Sequence, residues 1–339
     1  MSESTLPVTR VVKASASGRG EIDAVPLRRP GRWIASAVLA FLVVFLIQGW
    51  AGNERMQWST VGDHLFAPVV LEGLVTTLWL TAAAMAIGVV GGVLLAVMRR
   101  SDNPLLSRLS WVYIWTFRGT PLLVQLLFWY FLAAIVPQVG IGVPWGPTFV
   151  EFETNQLVTQ TTAALLGLGL HEAAYMAEIV RSGIASVDEG QSEAANALGM
   201  TRRQTLRRIV LPQALRIIIP PTGNQVISML KTTSLVSVIA VPELLTSIQA
   251  IYSRNFQQIP LLTVACAWYL LTVSVLSVGQ YYLERRYGRG ASRDLPPTPL
   301  QRLRTGLATR KPAPAHSSSP ALSKTPASGT TTTAPSEDR

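Results

Sequence analysis

Six apolar segments, each about long enough to cross a bilayer, are the feature that most constrains how this chain can fold. They run over residues 33–49, 67–98, 119–137, 157–180, 213–241 and 259–283. A transmembrane helix needs about 20 predominantly apolar residues. Only 14% of the residues are charged, whereas an average soluble protein has about 25%. The sequence therefore predicts an all-α polytopic membrane protein with six spanning helices.

The basic residues are divided unequally between the two sides of these segments. If the N-terminus is cytoplasmic, 26 of the 29 Lys and Arg residues lie in inner segments, and the outer loops contain only Arg55 and Arg254. Cytoplasmic loops of membrane proteins carry such an excess. Both termini are therefore predicted to be cytoplasmic, with loops 51–66, 138–156 and 242–258 outside.

The formal charge of +10 by itself would also suit a nucleic-acid-binding protein. The positive-inside distribution, together with contact between basic residues and anionic membrane lipid, explains this charge without nucleic acid. A single cysteine, Cys266, excludes a disulfide within the chain and a multi-cysteine metal site. No metal and no cofactor are predicted.

Both ends of the chain differ in composition from the apolar part. Residues 288–339 are rich in Pro, Ser, Thr and Ala without apolar periodicity, and residues 1–32 have a similar character. Such segments cannot bury enough apolar surface to fold. They are predicted to be disordered cytoplasmic tails that flank an N-terminal transmembrane helix over 33–50 and a membrane domain over 65–287.

The longest inner loop, about residues 186–212, contains two short predicted helices. Ser186 with Glu189 forms a possible capping box for the first, and Thr201 with Gln204 caps the second. Gly199 suits the left-handed residue that ends the first helix. A helix–glycine–helix with small alanines could dock into a groove on a cytoplasmic partner, although a solvated connecting loop is an equally plausible interpretation.

The residues of this loop resemble a known family. Glu193-Ala194-Ala195-x-x-x-Gly199, followed by Ile209-x-Leu211-Pro212, is similar to the EAA loop of permease subunits of ABC importers. Four further segments resemble the polar amino acid subfamily of these permeases, of histidine, glutamine and arginine type: FRGTPLLVQ at 117–125, EAAYMAEIVR at 172–181, LPQALRIIIPP at 211–221 and KTTSL at 231–235.

This resemblance implies a five-helix type I importer core, to which the chain adds one N-terminal helix, in a bacterial inner membrane. It implies a second permease subunit, of the same or a related chain, and cytoplasmic ABC ATPase subunits bound at the EAA loop. It also implies an external amino-acid-binding protein that delivers a polar amino acid. The chain has no glycine-rich phosphate-binding loop, so ATP would be hydrolysed by a partner, and no residue of this chain is predicted to be catalytic.

Polar residues within the apolar segments are candidates for the substrate pathway, because ionisable groups inside a membrane usually face a pathway or a partner. These candidates are Gln125, His171, Glu172, Asn224 and Lys231. An amino acid carries both charges, which Glu172 or His171 and Lys231 could bind. The alternative is a buried polar network that holds helices together. Arg118, just before the third segment, is predicted to anchor the inner face.

Two other classes of function are suggested by parts of the sequence. An intramembrane zinc hydrolase is suggested by His171-Glu172, but a site of the H-E-x-x-H type needs a second histidine at position 175, which is Tyr175. An ion-driven carrier built from inverted halves should show paired broken helices, whereas the sequence shows one break, at Pro220 and Pro221. A non-catalytic membrane scaffold is a further alternative that the sequence leaves open.

Overall fold

The computed structural model describes residues 30–142 and 148–287. The predicted tails 1–32 and 288–339 lie outside these residues, except that the first helix already begins at Pro30. Helices dominate the described part, and one two-stranded hairpin lies between them.

The first half of the chain contains these elements: α1 Pro30–Ala51, a 3₁₀ turn Glu54–Met56, α2 Trp58–Leu65, α3 Pro68–Arg99, α4 Pro104–Gly119, α5 Leu122–Tyr130, α6 Leu132–Ile135, and the antiparallel strands β1 Gln138–Gly142 and β2 Thr148–Glu153. The second half contains α7 Thr154–Leu157, α8 Gln160–Ala185, α9 Glu189–Ala197, α10 Arg202–Thr205, a π-helical turn Leu206–Val210, α11 Leu211–Thr232, a 3₁₀ segment Thr233–Ile239, α12 Leu244–Asn255 and α13 Gln258–Tyr287.

Four helices among the described residues are long and apolar enough to span a membrane, namely α1, α3, α8 and α13. A fifth span forms if the helical run Arg202–Ile239 and α12, which meet at a bend of 46°, are counted together. The first of these, α1, differs from the others because none of its apolar window Ile34–Ala51 is buried against the other described residues. Its side chains are therefore available to lipid or to another subunit.

The interpretation of residues 119–137 as one spanning helix is wrong. Helix α4 already begins at Pro104, where the side chain of Asn103 accepts a hydrogen bond from the backbone N–H of Leu105 and caps the first turn. The helix ends at Gly119, before Pro121, because a residue that precedes proline is disfavoured in the helical conformation. The nine-residue α5 that follows is too short to cross a bilayer alone.

The break predicted at Pro220 and Pro221 is also absent, because α11 continues through both prolines. The amide side chain of Gln280 on α13 donates to the Pro220 carbonyl oxygen over 2.8 Å. This bond attaches α13 to the proline-containing turn of α11. The observed break comes later, at Ala240, which has a left-handed backbone with φ of 56°.

The core is built around the contact between α3 and α8, and glycines determine how closely these two helices approach. A Cβ atom added at Gly88 of α3 would lie 2.5 Å from Cγ of Glu172, and one added at Gly91 would lie 2.9 Å from Cβ of Ala173. These distances are shorter than van der Waals contact, so only glycine permits this approach. A buried apolar cluster from α3, α5, α8, α11 and the 3₁₀ segment surrounds this contact.

We predict that replacing Gly88 with Leu destabilises the protein by roughly 1–3 kcal/mol, because the added side chain would overlap Glu172 in a close-packed interface. Thermal melting of the purified protein measures this change. Gly279→Leu on α13 is the matched control, since a Cβ there would have no atom within 4 Å. Equal losses in the two variants would contradict the account of the α3–α8 contact.

Candidate substrate pathway and coupling loop

Helix α8 presents two chemically different faces. Residues of one face, including Gly169, Glu172 and Ala173, contact the glycines and apolar side chains of α3. The other face contains His171, Tyr175 and Glu178, which are only partly buried and lie towards α4 and α5. The spacing of three to four residues places these side chains in one row along the helix.

A hydrogen-bonded group joins this polar row to the break between α4 and α5. Gln125 Oε1 lies 3.2 Å from His171 Nδ1, and Gln125 Nε2 donates to the carbonyl oxygen of Phe117 over 2.9 Å and to that of Thr120 over 3.1 Å. The last carbonyls of a helix lack internal donors. Gln125 therefore satisfies the end of α4 and connects it to α8, which brings two of the predicted pathway residues together.

Arg118, predicted to anchor the inner face, contacts the polar row of α8. Its guanidinium lies over the ring of Tyr175, with 5.3 Å between Cζ and the ring centroid, and its side chain is exposed. Arg118 lies one residue before the C-terminal end of α4, which begins at Pro104. The Asn103-Pro104 capping sequence is the sequence signal that locates the start of α4.

Glu172 lies on the opposite side of α8 from His171. Its side chain is 5% exposed and packs on Gly88, and its Oε1 atom makes no hydrogen bond within the described part of the chain. Lys231, the predicted complement, is exposed near the C-terminal end of α11. The structure therefore does not bring the two predicted charges together.

Asn224, another predicted pathway residue, belongs to a contact between α11 and α13. Its side-chain amide lies 3.4 Å from Oε1 of Glu284, to which Gln280 Nε2 also donates, over 2.7 Å. Polar groups of this kind link helices in a membrane by interhelical hydrogen bonds. In this arrangement the Asn224 amide serves helix packing.

A buried carboxylate that sequence reasoning assigned to an outer loop lies at the start of α12. Glu243 is fully buried, and its Oε1 accepts from the backbone N–H of Thr246 over 2.8 Å, while its Oε2 accepts from the hydroxyl of Tyr269 over 2.9 Å. A negative side chain at a helix N-terminus is stabilised by the unpaired N–H groups there. Glu243 thus caps α12 and fixes it to α13.

The inner loop, residues 186–212 and called the coupling loop below, contains two helices that meet at Gly199. Gly199 has φ of +74°, and the N–H groups of Gly199 and Met200 donate to the carbonyls of Asn196 and Ala195. These two bonds form a Schellman cap, which needs a left-handed residue. The left-handed position predicted for Gly199 is therefore observed.

The caps at the starts of these helices agree only partly with prediction. The capping box of Thr201 and Gln204 is present in both directions, with distances of 3.3 and 2.9 Å. The first helix is capped by Asp188, which accepts from the N–H of Gly190, so the predicted box of Ser186 with Glu189 is wrong. The hydroxyl of Ser186 instead donates to the Gly183 carbonyl at the end of α8.

The motif residues of the coupling loop lie mostly at the surface. Ala195 is buried, whereas Glu193, Ala194 and Gly199 are exposed, and Leu198 between them is 82% exposed. At the other end of the loop, Ile209 lies half-buried in the π-helical turn, while Leu211 and Pro212 are exposed in the first turn of α11. The helices from Arg202 to Thr232 are continuous, so the second loop helix is directly connected to the membrane-spanning α11.

Comparison with known proteins identifies the family. Residues 88–289 match the family described as binding-protein-dependent transport system inner membrane component. The chain belongs to this family. It is 47% identical to the arginine transport system permease protein ArgU of Corynebacterium glutamicum, over 83% of this chain and 88% of the relative. It is 34% identical to the glutamine transport system permease protein GlnP of Escherichia coli K12, over 68% of this chain and 98% of the relative.

A solved structure, an amino acid ABC transporter with histidines, matches the fold of this inner membrane component. Its sequence is 34% identical and the TM-score is 0.57. The superposition covers 65% of this chain and 95% of the other. The predicted family and fold class, an all-α type I ABC importer permease, are confirmed by these matches. The chain is a multi-pass component of the inner membrane. Within residues 30–142 and 148–287, no group of three His, Cys, Asp or Glu side chains could hold a metal ion.

The buried position of Glu172 leads to a prediction about stability. Replacing it with Met removes a buried carboxyl oxygen that has no hydrogen-bond partner and keeps a side chain of similar length. The free energy of unfolding should rise by about 1 kcal/mol or more, because an unsatisfied buried polar group is costly. Thermal melting of the purified permease measures this effect.

Glu172→Gln is the matched control, because the amide remains polar in the same position and should give little of this gain. A lower melting temperature for Glu172→Met than for Glu172→Gln would contradict the interpretation. It would indicate that the Glu172 side chain has a polar partner in the working protein.

Proposed function

We propose that this chain is half of the membrane pathway of an ATP-driven importer that takes up a polar amino acid delivered by an external solute-binding protein. Its membership of the family of binding-protein-dependent transport components carries this proposal. The names of the relatives support an amino acid as cargo, and arginine is the first candidate because the relative that is 47% identical is an arginine transport permease. The second half of the pathway is a second permease subunit, of the same or a related chain.

The coupling loop is the proposed binding site for cytoplasmic ABC ATPase subunits. Its exposed Leu198, at the tip of a helix rich in alanine, can insert into an apolar groove of a partner. The continuous helix from Arg202 gives a mechanical connection between such a partner and α11. Movement of the ATPases would then change the position of α11 within the membrane.

Both termini are proposed to be cytoplasmic. The unequal distribution of basic residues supports this orientation. It places the coupling loop on the side where ATP is available. The hairpin of β1 and β2 is then on the outer side, where a solute-binding protein arrives.

The polar row of α8 and the facing break between α4 and α5 are the proposed lining of the pathway. Gln125 and His171 are connected there, and Arg118 lies next to them. The exposed guanidinium of Arg118 favours an aqueous cavity beside this row, because a cation exposed to hydrocarbon is costly. Lys231 and Asn224 remain proposed pathway residues because both are exposed, whereas the buried Glu172 would reach the pathway only if α8 moved.

The cargo proposal predicts which amino acids stimulate the complex. We expect arginine or another polar amino acid, with its binding protein, to raise the ATPase rate of the reconstituted permease–ATPase complex and to be taken up into vesicles. Apolar amino acids should do neither. Uptake without ATP, driven by an ion gradient alone, would contradict the proposal and favour an ion-driven carrier.

The coupling-loop proposal predicts the effect of a change at Gly199. Gly199→Trp should leave the protein inserted in the membrane but reduce ATPase copurification and uptake by roughly tenfold or more, since one central contact of an interface can contribute that much. Gly199→Asn is the control, because asparagine tolerates the left-handed backbone and is small. Normal ATPase binding by the Trp variant would refute docking at this loop.

The orientation predicts a pattern of thiol labelling. In a Cys266→Ser background, single cysteines at the exposed positions Ser59 and Asn155 should react with an impermeant reagent added outside intact cells. A cysteine at the exposed Gln191 should react only after the membrane is opened. Labelling of position 191 from outside would show that the topology is opposite to the one proposed.

A further inference from the structure

A cavity of about 590 Å³ lies between the C-terminal end of α3 and the C-terminal halves of α4 and α8. It is lined by three arginines, one glutamate and several aromatic side chains, of which Arg99, Arg118, Arg181, Glu178, Trp111 and Trp115 matter here. The pathway proposed above includes Arg118 but assigns no role to Arg99 or Arg181.

The arginines give the cavity a net positive charge. Arg181 is paired with Glu178, its Nε donating to Glu178 Oε2 over 3.0 Å. Arg99 donates only to the carbonyl and hydroxyl oxygens of Ser107, at 3.3 and 3.4 Å, and Arg118 lies over the ring of Tyr175. Two of the three guanidinium groups therefore have no carboxylate partner among the contacts of the described residues, and both can form charge-assisted hydrogen bonds to an anion.

The position and the walls of the cavity indicate which anion it can take. Arg181 lies roughly 13 Å from the middle of α8 at 1.5 Å per residue, close to the edge of a hydrocarbon core that extends about 15 Å to each side. Trp111 and Trp115 stack with centroids 6.1 Å apart, and both rings are at least half exposed. Exposed tryptophans at this level are typical of the boundary between headgroups and acyl chains.

We propose that this cavity binds the phosphate diester of an anionic phospholipid of the inner leaflet, such as phosphatidylglycerol. The phosphate contacts Arg99 and Arg118, and an acyl chain lies along Trp111 and Trp115. Arg–phosphate contacts are well suited to such recognition, and basic pockets between helices on the cytoplasmic side of a membrane bind anionic headgroups. The assignment to the inner leaflet rests on the proposed orientation of the chain.

Native mass spectrometry of the purified full-length protein, titrated with phosphatidylglycerol in detergent, tests the site. The double variant Arg99→Gln with Arg118→Gln should bind the lipid roughly thirtyfold more weakly, as expected for the loss of two basic residues from a lipid site. Arg100→Gln with Arg108→Gln is the matched control, because Arg100 directly follows α3 and Arg108 lies on α4, and both are exposed without lining the cavity. Equal affinity of the two double variants would overturn the proposal.

A second variant should change lipid affinity in the opposite direction. It tests the site even if the arginine variants do not fold. Glu178→Gln removes the negative charge that lines the cavity, so phosphatidylglycerol should bind at least as tightly as to the unchanged protein. Phosphatidylcholine, which has the same phosphate diester but no net charge, should bind more weakly. Weaker binding of phosphatidylglycerol by Glu178→Gln, in a variant with an unchanged melting temperature, would overturn the proposal.

The same titration separates a lipid from soluble anions. Glycerol 3-phosphate, inorganic phosphate and arginine, each at millimolar concentration, should leave the bound phosphatidylglycerol in place because none can also occupy the tryptophan wall. Displacement by either phosphate compound would assign the cavity to a soluble anion. Displacement by arginine would assign it to the transported substrate and would also overturn the lipid site.

Discussion

The close contact between α3 and α8 is the interaction on which the rest of the structure depends. It is possible because Gly88, Gly91 and Gly92 on α3 and Gly169 on α8 leave no side chain between the two backbones. In a membrane, where lipid is as apolar as the helices, small residues allow the van der Waals packing that holds helices together. Helix α8 is consequently the most buried of the candidate spans, and the other helices of the core pack around it.

This packing also determines which polar side chains of α8 are enclosed. Because α3 occupies one face of α8, polar side chains on that face are enclosed, as the unpartnered carboxyl of Glu172 shows. The face with His171 and Tyr175 lies towards α4 and α5, which are separated by a break after Gly119. Irregular backbone at membrane depth is tolerated where it is buried in protein or lines an aqueous cavity. In the proposed function, the break, together with Gln125, His171 and Arg118, lines the side that water and substrate would enter.

Three glutamate side chains of this molecule differ in their hydrogen-bond partners. Glu243 accepts hydrogen bonds from Thr246 and Tyr269 and caps a helix, so its burial stabilises the outer part of the fold. Glu178 faces the cavity at the inner end of α8 and is paired with Arg181. Among the buried side-chain nitrogen and oxygen atoms of the described residues, only Oε1 of Glu172 has no hydrogen-bond partner. A function for Glu172 therefore requires a conformation in which α8 and α3 are arranged differently.

Local signals in the sequence predicted several features correctly. The left-handed position of Gly199 and the capping box of Thr201 with Gln204 depend on neighbouring residues alone, so their chemistry was sufficient. Long apolar runs likewise predicted α1, α3, α8 and α13. These features need no knowledge of what packs against them.

Features that depend on distant contacts were not predictable in this way. The contact of Arg118 with Tyr175 depends on how the C-terminal end of α4 packs on α8. The face on which Glu172 lies is set by glycines about 80 residues away, and the burial of Glu243 by Tyr269 on another helix. A single sequence shows the polar residues within a span but not which of them a neighbouring helix covers.

The central claim is that α8 has one dry face and one face in contact with water. Cysteine scanning along α8 in the Cys266→Ser protein, with a small water-soluble thiol reagent, tests it most directly. We expect cysteines at positions 171, 175 and 178 to react, and cysteines at 172, 173 and 176 to remain unmodified in the folded protein. Reaction at 172, 173 and 176 with protection of 171, 175 and 178 would contradict the account, and so would equal reactivity at all six positions.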